Sequence, residues 1–189
     1  MQLIKDWKYK LELHDEEIRN FIDDNIKLGR DYKNSHKNRS EIGFNVFKMA
    51  SDFYYRENFH SFIISAFLNP TGKHNEGCKY LHLFIDLLNS VNNKNLIDKT
   101  DFQNSEVFIE KHRIDILIKD DVSKKAIIIE NKVNDAADQF RQLPRYVDAV
   151  KLNYKIEGIV YLTLNSAKRP HKKDWTDLER KSIDSKLKL

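Results

Sequence analysis

At 189 residues the chain has the length of one domain with a sizeable core. Its formal net charge of +4, set against 33% charged residues, permits an anionic partner without demanding one. A single cysteine, Cys78, excludes an internal disulfide framework and fits a reducing compartment. No apolar run approaches transmembrane length, and the start Met1–Lys8 lacks the apolar stretch of a signal peptide, so no membrane is expected and the expected location is cytoplasmic.

In chain order, residues 1–29 repeat Ile4, Trp7, Leu11, Ile18, Phe21, Ile22 and Ile26 at helical spacings, which predicts an amphipathic helix. Residues 30–41 are polar and basic and read as an exposed connection, so 1–41 is taken as an N-terminal extension. Helical spacing returns over 42–69 with Phe44, Phe47, Phe53, Phe59, Phe62, Ile63, Phe67 and Leu68, and stops at Asn69-Pro70-Thr71-Gly72. A second helix is predicted over 76–91, with Leu81, Phe84, Ile85 and Leu88 on one face. Val107–Ile109 reads as a first strand. Arg113–Ile118 and Ala126–Lys132, joined by 119–125, read as a β-hairpin. A helix over 135–151 and a strand over 158–164 follow. The expected fold class is α/β (α+β), with a mixed sheet in 42–165 flanked by helices. Residues 166–189 are Lys-rich and weakly patterned, and read as a basic C-terminal segment.

The hairpin carries acids where a doubly buried sheet should carry none. Alternation along the second strand puts Glu130 and Lys132 on one side and Asn131 on the other. The same rule places Asp115 with Arg113 and Leu117, opposite Ile114, Ile116 and Ile118. Burying an unpaired carboxylate costs several kcal/mol, so such residues call for a charge partner or a metal. An Asp on one strand with Glu-x-Lys ending its neighbour is a place to hold a divalent cation beside a lysine.

Asp115, followed by Glu130-Asn131-Lys132 on helix–βββ–helix–β elements, resembles the signature and core of the PD-(D/E)xK nuclease superfamily, with its restriction-endonuclease-like fold. Gln142 and Tyr146 form a Gln-x-x-x-Tyr element similar to that of RecB-like members. Glu57-Asn58-Phe59-His60-Ser61 and Asn69–His74 resemble the helical entry of a bacterial subgroup of uncharacterised proteins. The resemblance spans roughly 44–165. One departure is Ile114, where the superfamily name carries a proline. Another is length: chains of the subgroup generally continue well beyond the last core strand, so this one is expected to be a truncated or a naturally short form.

The resemblance implies a nuclease that hydrolyses phosphodiester bonds with Mg²⁺, for which Mn²⁺ can substitute. The implied substrate is nucleic acid, with DNA foremost, and the implied setting is defence, restriction or repair. Asp115, Glu130 and the backbone carbonyl of Asn131 are the implied metal ligands, Lys132 the implied catalytic lysine, and Gln142 and Tyr146 its companions on the following helix. Glu57 is a further implied ligand. A homodimer would suit double-strand cleavage. The alternative is a nuclease-fold module that binds nucleic acid or a partner without cutting.

Each residue also has a structural reading. Asp115 can pair with Arg113, and Glu130 with Lys132 can be a strand end meeting solvent. Gln142 and Tyr146, one turn apart, can simply cover the sheet, and Glu57 can be an acid favoured at a helix start. Pro144 requires either a kinked helix or a helix that begins near Gln142. His60 and Ser61 suit helix packing. His74, Cys78 and His82 invite a zinc reading but lack an evident fourth ligand. Exposed lysines over 168–173 can attract phosphate nonspecifically or form a solvated basic tail.

Overall fold

Residues 52–53, 55–91, 96–133, 137–164 and 167–188, with Ile26, Lys27 and Met49, are described by a computed structural model. The chain divides into two units, 1–51 and 52–189, and every element described below belongs to the second. The helix expected over 1–29 and the connection over 30–41 lie outside the described residues, except that Ile26 and Lys27 are helical and exposed.

Isoleucine-rich runs make the centre of the second unit. Strands β1 (Ser105–Ile109), β2 (Ile116–Asp120) and β3 (Lys125–Lys132) are consecutive and antiparallel, while β4 (Lys155–Thr163) and β5 (Leu187–Lys188) are added parallel. The sheet order is β1-β2-β3-β4-β5, the mixed sheet expected. The hairpin is tighter than predicted: Lys119, Asp120 and Lys125 pair in the ladder, leaving the turn to 121–124. Asp120 closes it, accepting from the amides of Val122 (2.9 Å), Ser123 (3.0 Å) and Asn104 (2.7 Å). The parallel β3–β4 pair cannot be closed by a tight turn and needs a crossover, which α3 (Gln142–Val150) provides.

Strand β3 is buried on both faces. Ile127 and Ile129 join Ile116 and Ile118 against the side of α1 (Glu57–Leu68) and α2 (Lys79–Val91). Ala126 and Ile128 join Leu117, Leu143, Tyr146, Val150 and Ile159 on the α3 side. Each buried isoleucine contributes roughly 1.5–3 kcal/mol of transfer free energy, so this strand anchors both layers. Helix α2 buries Leu81, Ile85 and Leu88, the predicted face.

Four expectations are corrected. Helix α1 buries Ser61, Ser65 and Leu68, while Phe62 (61%) and Phe67 (51%) stay exposed. Small hydroxyl residues let α1 approach the end of β3, where Asn131 Nδ2 reaches Ser61 Oγ (3.1 Å) and the Glu57 carbonyl (3.2 Å). Strand β2 starts at Ile116, because Glu110, His112 and Arg113 have φ of 56°, 57° and 63°. That left-handed turn breaks the alternation, so Ile114 packs in the cluster of Leu117 and not in that of Ile116 and Ile118. Each such non-glycine residue costs on the order of 1 kcal/mol.

Helix α3 begins at Gln142, after Arg141 in left-handed conformation. Pro144 is therefore third in the helix, inside the first turn, where its missing N–H leaves no bond unmade. Finally, of the two readings of the lysines over 168–173, the solvated tail is not seen among the described residues 167–188. Thr176 and Glu179 form a reciprocal cap on α4 (Asp177–Asp184), and Trp175 and Ile183 are buried in the α3-side core. No helix among the described residues is long and apolar enough to cross a membrane.

Candidate functional site

The end of β3 brings together most of the residues singled out from sequence. Glu130 faces α3, as alternation requires, and its Oε1 accepts from Gln142 Nε2 (2.8 Å) and pairs with Lys132 Nζ (2.8 Å). Gln142 Nε2 also donates to the Tyr146 hydroxyl (2.8 Å), so the one-turn spacing on α3 becomes a bracket over Glu130. Asp115 arrives from the neighbouring strand entry, and its Oδ2 accepts the Asn131 amide at 2.7 Å. The side chain of Asn131 turns to the opposite face and fastens α1.

The electrostatics are those of an acidic cluster around Lys132. Burial pushes the Asp115 carboxyl above its ordinary range, against the pull of the Asn131 hydrogen bond and the Lys132 charge. Burial, and then the charge of Asp115, raises Glu130 to about 7. Burial also raises the Tyr146 hydroxyl, with Glu130 adding to the effect. For Lys132 burial acts downward, but the hydrogen bond and charge of Glu130, then Asp138 and Glu57, outweigh it and keep the ammonium. Two buried oxygens, Glu130 Oε2 and Asn131 Oδ1, have no hydrogen-bond partner. An orphaned buried acceptor costs about 1–3 kcal/mol, more when charged.

Asp138 is a member that no spacing rule flags. Its Oδ1 accepts the Tyr161 hydroxyl (2.8 Å), its Oδ2 accepts the His171 amide (2.7 Å), and Lys132 Nζ stands 3.9 Å away. Glu57, at the start of α1, acts on Asp115 and Lys132 through its charge. Among the described residues, however, no three His, Cys, Asp or Glu side chains gather as a metal-binding group. A cation here would rest on Asp115 and Glu130, with backbone and water completing its shell. Hard carboxylate oxygens of this number suit Mg²⁺ or Mn²⁺, and the orphaned Glu130 Oε2 is the atom such an ion would satisfy.

The remaining candidates go elsewhere. His74 is held between the Asn69 carbonyl (2.9 Å) and the Glu76 amide (3.0 Å), Cys78 Sγ donates to the Gln103 carbonyl (3.3 Å), and His82 lies against Gln103 (3.5 Å). The zinc arrangement does not form. Three further acids near the strands, which were not candidates, are used locally: Glu110 accepts from Asn58 Nδ2 (2.7 Å), Asp120 belongs to the hairpin turn, and Asp121 pairs with Lys119 (2.5 Å). Ser61 packs α1 on β3, and His60 lies edge-on to Phe59 with ring centres 6.1 Å apart.

No curated protein and no solved structure matches the chain. A family model does, and it runs over residues 44–186, through both helices before the sheet, the site at the end of β3 and α4. That model describes the PD-(D/E)XK nuclease superfamily, whose fold is the mixed, helix-flanked sheet seen here. Matched over about three quarters of its length, the chain belongs to the PD-(D/E)XK nuclease superfamily.

Proposed function

We propose that this chain is a divalent-metal-dependent nuclease that hydrolyses phosphodiester bonds, of DNA foremost, in the cytoplasm and in defence, restriction or repair. The observation that carries the reading is the buried Glu130 Oε2, left without a donor beside Asp115 while Lys132 occupies the other oxygen. A carboxylate pair kept in so unfavourable a state is compensated when it holds a cation.

Asp115 and Glu130, with the Asn131 backbone carbonyl, would hold Mg²⁺ or Mn²⁺. A bound ion of that kind supplies positive charge for the phosphoryl oxygens and makes water more acidic. The residues themselves do the rest. Gln142 holds Oε1 of the Glu130 carboxylate, which leaves Oε2 for the ion, and Tyr146 holds Gln142. Lys132, kept as an ammonium by its acidic neighbours, orients the attacking water and stabilises charge as the P–O bond breaks. An ammonium has no lone pair, so this role differs from proton abstraction.

The test incubates the purified protein and Mg²⁺ or Mn²⁺ with single- and double-stranded DNA and RNA. Cleavage of DNA is expected, with kcat lowered roughly 10²–10³-fold in Lys132→Ala. Mn²⁺ should raise the unfolding temperature, an effect lost in Asp115→Ala. If every substrate stays intact and Lys132→Ala changes nothing, the enzyme reading fails and the non-cutting binding module takes its place.

A further inference from the structure

The turn that displaces the start of β2 has a chemistry that the fold does not use. Its backbone is closed by Arg113 N to Glu110 O (3.1 Å), Ile114 N to Lys111 O (3.0 Å) and Glu110 N to Asp115 O (3.4 Å). Asn58 on α1 holds Glu110 (2.7 Å), Lys111 lies over the Phe108 ring (3.9 Å), and the turn packs against α3. The side chains of Glu110 and Lys111 therefore anchor it, and Ile114 is driven into the core.

His112 and Arg113 do neither. Both are exposed, and among the described residues neither side chain has a hydrogen bond or ion pair. Both nonetheless sit at φ of 57° and 63°, where glycine would be free of strain. A position that requires left-handed backbone only to aim Asp115 would be served better by glycine. The side chains held there against strain point to something outside the fold.

We infer that this turn is a phosphate clamp for the nucleic-acid backbone, with Arg113 as its cation and His112 as a second donor. It would grip a phosphate next to the one addressed by Asp115, Glu130 and Lys132; to that extent it rests on the function proposed above. Arg113 is two residues from Asp115, at most about 7 Å of chain. Its guanidinium is always charged and forks onto two phosphate oxygens. The neighbouring site is mainly acidic, with Asp115, Glu130, Asp138 and Glu57 around one lysine, so a polyanion needs a cation at its rim.

The experiment measures binding of a fluorescent DNA duplex in Ca²⁺, over a series of salt concentrations, for wild type, Arg113→Gly, Arg113→Gln and His112→Gly. Unfolding midpoints are measured alongside. Arg113→Gly should unfold no earlier than wild type, yet bind about tenfold more weakly. The slope of log affinity against log salt should drop by about one. Arg113→Gln, which keeps a polar side chain without the charge, should show the same two losses, and His112→Gly a smaller loss of affinity. Affinity within twofold of wild type and an unchanged slope in both Arg113 variants overturn the inference. DNA that binds in an Arg113-dependent way but is never cut in Mg²⁺ overturns the nuclease reading and leaves the clamp standing. Cleavage with Arg113-independent binding does the reverse.

Discussion

Glu130 places one carboxylate oxygen between Lys132 and Gln142 and leaves the other buried without a donor. Its ionised form is therefore better solvated in the unfolded chain than in the folded, metal-free protein. The folded carboxyl titrates at about 7 against an ordinary 4.5, because of burial and then Asp115. Between those values the folded state binds the extra proton, so stability falls as pH rises. This contribution is complete below about 4.5 and lost as pH passes through about 7, and it is on the order of 3 kcal/mol. In chelator, the unfolding temperature should decline over that window. Glu130→Gln should flatten the decline, and Mn²⁺ should flatten it in wild type. Parallel profiles for wild type and Glu130→Gln would sink this account. At this scale the meeting of Glu130, Lys132, Gln142 and Tyr146 was legible, because alternation on a strand and one-turn spacing on a helix dictate who faces whom, whereas Asp115 is placed by a turn that alternation does not describe. Asp138 was not legible, since it meets Tyr161 and the His171 amide only across the fold.

The elements differ in how much of their form is local. Helix α2 has its buried face written at i, i+4 and i+7, and appears as predicted. Helix α1 does not, because its contact with β3 demands small side chains at Ser61 and Ser65, and close approach overrides the count of apolar residues. Two short-range devices fix the ends of elements and invite substitution. Thr176→Ala removes the acceptor of the Glu179 amide at the start of α4 and should cost about 1 kcal/mol. Asp120→Ala strips three backbone amides of their acceptor, two at the hairpin and that of Asn104 ahead of β1, and should cost more, at least about 2 kcal/mol. Chemical denaturation of both variants checks the order; equal losses would show that the Asp120 amides find water instead.

Across the second unit, the sheet carries one core cluster on each face. The α3-side core draws Trp175 and Ile183 from beyond residue 165, and β5 extends the sheet at β4. A chain ending at residue 165 loses all three. Losing a buried Trp alone costs about 3–5 kcal/mol, against a total stability of about 5–15 kcal/mol for a domain. The shortened chain should lack a cooperative unfolding transition by circular dichroism. A sharp transition near that of the full chain would show that the core closes without its C-terminal elements.

By itself the sequence determined the pattern that local periodicity can carry: a mixed sheet, its hairpin, the helix over it and an acid–lysine cluster at the end of one strand. Only the tertiary structure decided where alternation breaks at Glu110–Arg113, which face α1 buries, and that the basic C-terminal segment closes the core. It also decided that Glu130 is left half satisfied beside Asp115 and Lys132. Such features are set by contacts between residues far apart in the chain, and their energies outweigh the local preferences that sequence periodicity records.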